Sequence, residues 1–213
     1  MSTETSVAPD SADATPAAPA RKRPKPGERR IQILQTLAGM LEQPGAERIT
    51  TAALAARLDV SEAALYRHFA SKAQMYEGLI EFIESSVFGL VNQIVERDEA
   101  PTAQVGRIVT VLLQFGEKNP GMARVMVGDA LVFENERLQA RMNQFFDRIE
   151  SQLRQVLRAA AEARGSATPT VDAAAQASVI TGFVLGRLQR FTRSDFRRLP
   201  TEHLDAALAL LSA

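Results

Sequence analysis

The chain has 213 residues, no Cys, and 25 basic side chains against 25 acidic ones. It can bury a core without staples, and it excludes a disulfide framework, a thiolate metal site and a cysteine nucleophile. The balanced charge is unevenly placed: residues 1–20 hold three acids and no Lys or Arg, residues 21–75 hold ten basic and five acidic side chains, and the remainder is net −2. Such asymmetry points to a phosphate-facing module joined to one that does not face phosphates.

Residues 1–27 are rich in Ala, Pro, Ser and Thr and end in a basic cluster, Arg21, Lys22, Arg23 and Lys25. With no apolar periodicity to bury, the segment reads as a disordered tail whose basic end adds phosphate contacts. Its acidic start is unlike a secretory leader, and the longest uncharged stretch, residues 173–186, is too short to span a bilayer. A cytoplasmic protein is expected.

The first helix is predicted over residues 28–42, where Ile31, Leu34, Leu37, Ala38 and Leu41 recur at helical spacing before Pro44-Gly45. Thr50 then stands as an N-cap for a short helix over residues 52–58, and Asp59-Val60 makes a tight connection. Ser61-Glu62 opens a second short helix that carries Leu65 inward and ends near Phe69. Two short helices separated by a brief turn form a helix-turn-helix pattern.

Ser71 caps a long amphipathic helix with Met75, Leu79, Phe82, Ile83, Val87, Leu90 and Ile94 at three- to four-residue intervals. Further helices are predicted over about residues 102–118, 122–130, 137–163, 171–192 and 201–211, punctuated by Asn119-Pro120-Gly121 and by a loop from Gly165 to Pro169. Nothing alternates as a strand would, so the class is all-α.

A helix that reads a duplex must bring small residues and polar tips to the major groove while its other face seals the domain. Ala63 and Ala64 are small, Tyr66, Arg67 and His68 end in polar groups, and Leu65 and Phe69 are the inward anchors. Alternatives remain at each position: Thr50 as a cap only, Tyr66 as a core residue, His68 as a structural histidine, and Arg67 as a partner of Glu62 or Ser71.

Residues 49–72, ITTAALAARLDVSEAALYRHFASK, resemble the DNA-binding signature of the TetR family over their whole length. The resemblance implies a TetR-like fold: a tail over 1–27, a helix-turn-helix DNA-binding domain over 28–72, and a helical regulatory and dimerisation domain over 73–213. It implies that Thr50, Thr51, Tyr66, His68 and Lys72 hold phosphates, which position the protein, and that Ser61, Ala63, Ala64 and Arg67 lie beside base edges, which specify. Four runs, residues 61–69, 79–84, 115–121 and 148–158, narrow the resemblance to the nucleoid occlusion branch of that family.

That branch implies a nucleoid-associated adaptor that binds palindromic duplex DNA and, once bound, antagonises FtsZ assembly. FtsZ would be met by Phe82, Leu90, Val111, Gln114, Lys118 and Asn119; of these, Phe82 and Asn119 keep the branch's side chains and the other four depart from them. A core role for Phe82 is the alternative.

Ala174, Ser178, Gly182 and Gly186 fall four apart, a stripe of small side chains on one helix face. With Phe183, Val179, Leu188, Leu204, Leu208 and Leu211 it predicts the four-helix homodimer interface of the family, with one or more dimers on each DNA site. The rival reading is a ligand-responsive repressor on the same fold, which predicts a buried pocket. An enzyme is not expected, because the metal, phosphate-loop and triad motifs lack their residues and the chain has only two His. No cofactor is implied.

Overall fold

The computed structural model describes residues 27–43, 48–97 and 100–211, so the expected tail up to residue 26, with its basic cluster, and the Pro44-Gly45 stop lie outside the described residues. In chain order the helices are α1 (Glu28–Leu41), α2 (Thr51–Arg57), α3 (Glu62–Tyr66), α4 (Lys72–Val95), α5 (Pro101–Lys118), α6 (Pro120–Met126), a 3₁₀ turn (Asp129–Leu131), α7 (Glu136–Ala163), α8 (Pro169–Arg193) and α9 (Leu204–Leu211). The described residues form no strand.

Local chemistry explains most boundaries. Ser61 and Ser71 accept backbone N–H bonds from Ala64 and Gln74 at 3.3 and 3.2 Å, satisfying first-turn donors of α3 and α4. Pro occupies the first turn of α5, α6 and α8, where its missing N–H costs nothing. Pro120 divides the 102–130 region after Lys118, and the expected 122–130 helix proves to be α6 plus the 3₁₀ turn.

In α1 the buried line is Ile33, Leu37 and Leu41, while Ile31, expected on the apolar face, is exposed. Residues 33, 37 and 41 recur every four positions and seat the helix on α2, α4 and α6, whereas Ile31 points away from that line. Gly121 of α6 lies against the α1 backbone: a Cβ added there would stand 2.2 Å from the Ala38 carbonyl oxygen. This contact joins the N-terminal three helices to the rest of the molecule.

α4 is long and apolar enough by composition to cross a membrane, yet Ile80, Ile83, Val87 and Val91 are buried in one core with α5, α7 and α8. Two of its three acidic residues are also engaged. Glu77 pairs with Arg137 at 2.6 Å, and Glu84 accepts two bonds from Arg141 at 3.1 and 2.6 Å. The bond to Glu84 outweighs burial and raises the Arg141 pKa above its ordinary value. Arg148 stacks over Phe88 at 3.9 Å. Partners rise together along both helices, so α7 runs parallel to α4. α8 returns antiparallel to α7 through the short turn at Gly165, whose φ of 74° suits glycine. The end of α8 therefore returns to the level where α4 begins.

Candidate nucleic-acid interface

Thr50 accepts from the Ala53 N–H at 3.1 Å, so it caps α2 as the sequence suggests. The α2–α3 turn is closed by Asp59 at φ 55°, a left-handed position that Asp tolerates better than most residues, and by a 3.1 Å bond from the Val60 N–H to the Ala55 carbonyl. Thr51 Oγ1 donates to Glu62 Oε2 at 2.5 Å, tying the start of α2 to the start of α3. Glu62 thus turns to Thr51 rather than to Arg67.

α3 separates its two faces sharply. Leu65 and Phe69 are both 1% exposed, with the Arg30 guanidinium 4.1 Å above the Phe69 ring. Arg30 also donates to the His68 carbonyl at 2.9 Å, which fixes the chain leaving α3. Around them Ser61, Ala63, Tyr66, Arg67 and His68 are exposed and Ala64 is half-exposed. Tyr66 is 46% exposed and so is not a core residue.

Lys72, expected to hold a phosphate, is also engaged within the chain. Its ammonium makes a short ion pair with Glu134, on the connection before α7, and lies 5.6 Å from the Tyr76 ring centroid. Glu134 is nearly buried. Burial and then its charge push the Tyr76 hydroxyl above its ordinary pKa. The partner lies 62 residues away in the chain, and no local pattern signals it. Lys72→Ala is expected to strand the Glu134 carboxylate and cost about 1–3 kcal/mol, below the figure for a fully buried pair because Lys72 keeps some solvent. Thermal unfolding checks this: Glu134→Gln in the same background should recover most of the loss.

A second surface lies on the outer sides of α4 and α5. Phe82 and Leu90, expected among the core-facing residues of α4, are 47% and 46% exposed. The core alternative for Phe82 is therefore corrected. Its ring sits 6.1 Å from that of Phe115 on α5, a neighbour the sequence reading did not assign. Leu90 and Val111 line a shallow groove of about 250 Å³ with Gln93, Arg97, Arg107 and Thr110. Gln114 and Lys118 are exposed on α5. Asn119 is half-buried, and its side chain donates to the Phe115 carbonyl at 2.8 Å, ending the helix.

The small-residue stripe of α8 faces outward. Nothing stands within 4 Å of a Cβ built on Gly182 or Gly186, Ser178 is exposed, Ala174 and Phe183 are half-exposed, and Val179 is 61% exposed. Leu188 is the exception to the predicted face, because it points inward against Gly116. Leu204, Leu208 and Leu211 of α9 are only partly covered, and no residue of that helix is buried. An open apolar strip thus runs along α8 and α9.

Residues 33–79 match the family described as bacterial regulatory proteins, tetR family, and residues 100–213 match the SlmA-like tetracyclin repressor-like C-terminal domain. The chain is 52% identical to the nucleoid occlusion factor SlmA of Aliivibrio fischeri strain MJ11, over 89% of this chain and 97% of that protein. It is 50% identical to the SlmA of Escherichia coli O9:H4 strain HS, over 91% and 98% respectively. Among solved structures, the fold is similar to that of the fatty acid degradation regulator FadR from Bacillus halodurans, with a TM-score of 0.71, 16% identity, and 87% and 95% of the two chains covered. The TetR regulator PfmR from Thermus thermophilus superposes with a TM-score of 0.68 at 22% identity, over 84% and 96%. A DNA-binding module ending in an exposed recognition edge and a C-terminal domain of SlmA type, shared over nearly the whole length of these relatives, place this chain in the SlmA family of nucleoid occlusion factors within the TetR family.

Proposed function

We propose that the protein is a homodimeric, nucleoid-associated adaptor that binds palindromic duplex DNA through α2 and α3 and, when so bound, antagonises FtsZ assembly. The observation that carries this reading is the continuity of α4, one uninterrupted helix of 24 residues whose first turn adjoins the recognition edge and whose outer face carries Phe82 and Leu90. We divide the chain accordingly into a DNA-binding domain over 28–72 and a regulatory and dimerisation domain over 73–213.

Ser61, Ala63, Ala64 and Arg67 are assigned to base edges, and Thr50, Thr51, Tyr66 and His68 to phosphates. Lys72 is assigned to a phosphate through the ammonium donors that its pair with Glu134 leaves open. FtsZ is assigned to Phe82, Leu90, Val111, Gln114 and Lys118, with Asn119 shaping the end of α5. Two chains pair along Ala174, Ser178, Gly182, Phe183 and Gly186. In this arrangement the two α3 helices enter successive major grooves, about 34–36 Å apart. DNA favours the FtsZ-competent form, and by linkage FtsZ must then tighten DNA binding by the same factor. The chemistry is binding alone, without a catalytic step.

The test is sedimentation of FtsZ polymers with the protein and a selected DNA site, each alone and together. Loss of polymer only in the combined sample supports the adaptor; polymers untouched in every sample favour a ligand-responsive repressor. Phe82→Ala is expected to leave DNA affinity within twofold while weakening FtsZ antagonism by about tenfold, as for an exposed aromatic at the centre of a docking site. Fluorescence anisotropy with labelled duplex and the sedimentation assay separate the two effects.

A further inference from the structure

Among the described residues beyond the recognition edge, a concentration of positive charge lies at the end of α8. Arg190, Arg193, Arg197 and Arg198 line an open groove of about 460 Å³ together with Ser194. All four arginines are exposed, and none has a carboxylate partner among the described residues. Within nine residues the chain gathers four guanidiniums that repel one another, and it holds them there by a costly turn.

Asp195 and Phe196 take φ of 48° and 63°, two consecutive left-handed positions in residues other than glycine. Such positions persist only where surrounding contacts over-determine them, and they collect at functional sites. The contacts here are evident. Phe196 packs on Phe191 with ring centroids 5.1 Å apart and under the Arg124 guanidinium at 5.0 Å. Ser194 is the hub: its carbonyl accepts from Arg197 Nε at 3.0 Å and its hydroxyl from the Arg198 N–H at 2.9 Å. Asp195, the one acid in the turn, lies 3.8 Å from the buried Arg124. The turn thus folds Arg197 and Arg198 back beside Arg190 and Arg193.

We infer that this arginine cradle is a second, sequence-independent contact for the phosphate backbone of duplex DNA, carried by the regulatory domain and separate from the recognition edge. Guanidinium forks match phosphate oxygens. An open groove follows an extended polyanion, whereas a small effector takes a largely enclosed pocket. Placement favours DNA over an acidic peptide: α8 ends at the level where α4 begins, tied there by the 3.0 Å bond from Thr192 to Asp129 beside α6. A protein already held on a chromosome meets neighbouring backbone at high effective concentration. Arg190 and Arg193 also continue the Gly182–Gly186 face of α8, so pairing along it brings two cradles together. The inference rests on the duplex-binding reading above.

The experiment measures affinity for a long mixed-sequence duplex against salt concentration, using full-length protein. Each phosphate contact contributes about 0.9 to the slope of log K against log salt. Arg198, whose side chain makes no hydrogen bond among the described residues, gives the mildest variant. Arg198→Ala should lower the slope by about 1.8 for a dimer, and Arg193→Ala/Arg197→Ala/Arg198→Ala by more, with thermal stability of the single variant unchanged. The triple Lys variant should restore the slope, which a purely structural role for the arginines would not allow. A wild-type slope in Arg198→Ala and the triple Ala variant, or capture of poly-glutamate with an unchanged duplex slope, would overturn the cradle while leaving the recognition edge intact. Failure of the wild-type protein to bind any duplex would sink the parent reading instead.

Discussion

Gly182→Arg is expected to give a folded chain that no longer pairs and that loses duplex affinity by about two to four orders of magnitude. The space beside Gly182 is empty within a single chain, so the new side chain has room in the monomer. Replacing a mid-helix glycine even favours the isolated helix, by roughly 0.5–1 kcal/mol. In a pair of chains packed along the stripe, the same side chain stands where the second backbone must approach. Losing the pair removes the bivalent gain, about 10²–10⁴ in affinity, that comes from holding two half-sites at once. Sedimentation velocity should show monomer, and anisotropy on a palindromic duplex should show the loss. A dimer that persists at wild-type strength would place the interface elsewhere.

Gly121→Ala is expected to be among the most destabilising single changes in the protein, for the opposite reason. Its Cβ would sit 2.2 Å from the Ala38 carbonyl oxygen, a backbone atom that no rotamer change can move aside. One of the two helices must shift, at a cost of about 3 kcal/mol or more, which for a chain of this size lowers Tm by roughly 6–12 °C. The damage falls on the seam between α1 and α6, so duplex affinity should fall with stability. Gly39→Ala is the control. It neighbours Ala38 in α1 with nothing within 4 Å of its Cβ, and it should raise stability by up to about 1 kcal/mol. Equal effects of the two substitutions on Tm would show that the α1–α6 contact is looser in solution.

The all-helical class and the order of elements were legible in the sequence because they rest on local signals: helical spacing of apolar residues, Ser caps and Pro in first turns. The two faces of α3 were legible for the same reason. What escaped was long-range. The apolar residues of α4 read as one face, but a 24-residue helix flanked by α5 and α7 can bury only part of its circumference, and Phe82 and Leu90 fall beyond the edge. Leu188 was misplaced likewise, because the stripe of small residues marks the outer face of α8 without saying where that face ends. The Lys72–Glu134 pair and the arginine cradle depend on partners or turns that only the packed chain brings together.

The unbroken course of α4 also sets a ruler. Lys72 and Phe82 are ten residues apart on one helix, a rise of about 15 Å at 1.5 Å per residue, and Leu90 stands about 12 Å further on. On the proposed reading, whatever grips that outer side is therefore leashed to the chromosome at the scale of a few nanometres. The proposed adaptor would then leave a division filament passing overhead at greater height unopposed and challenge only one grazing the nucleoid itself.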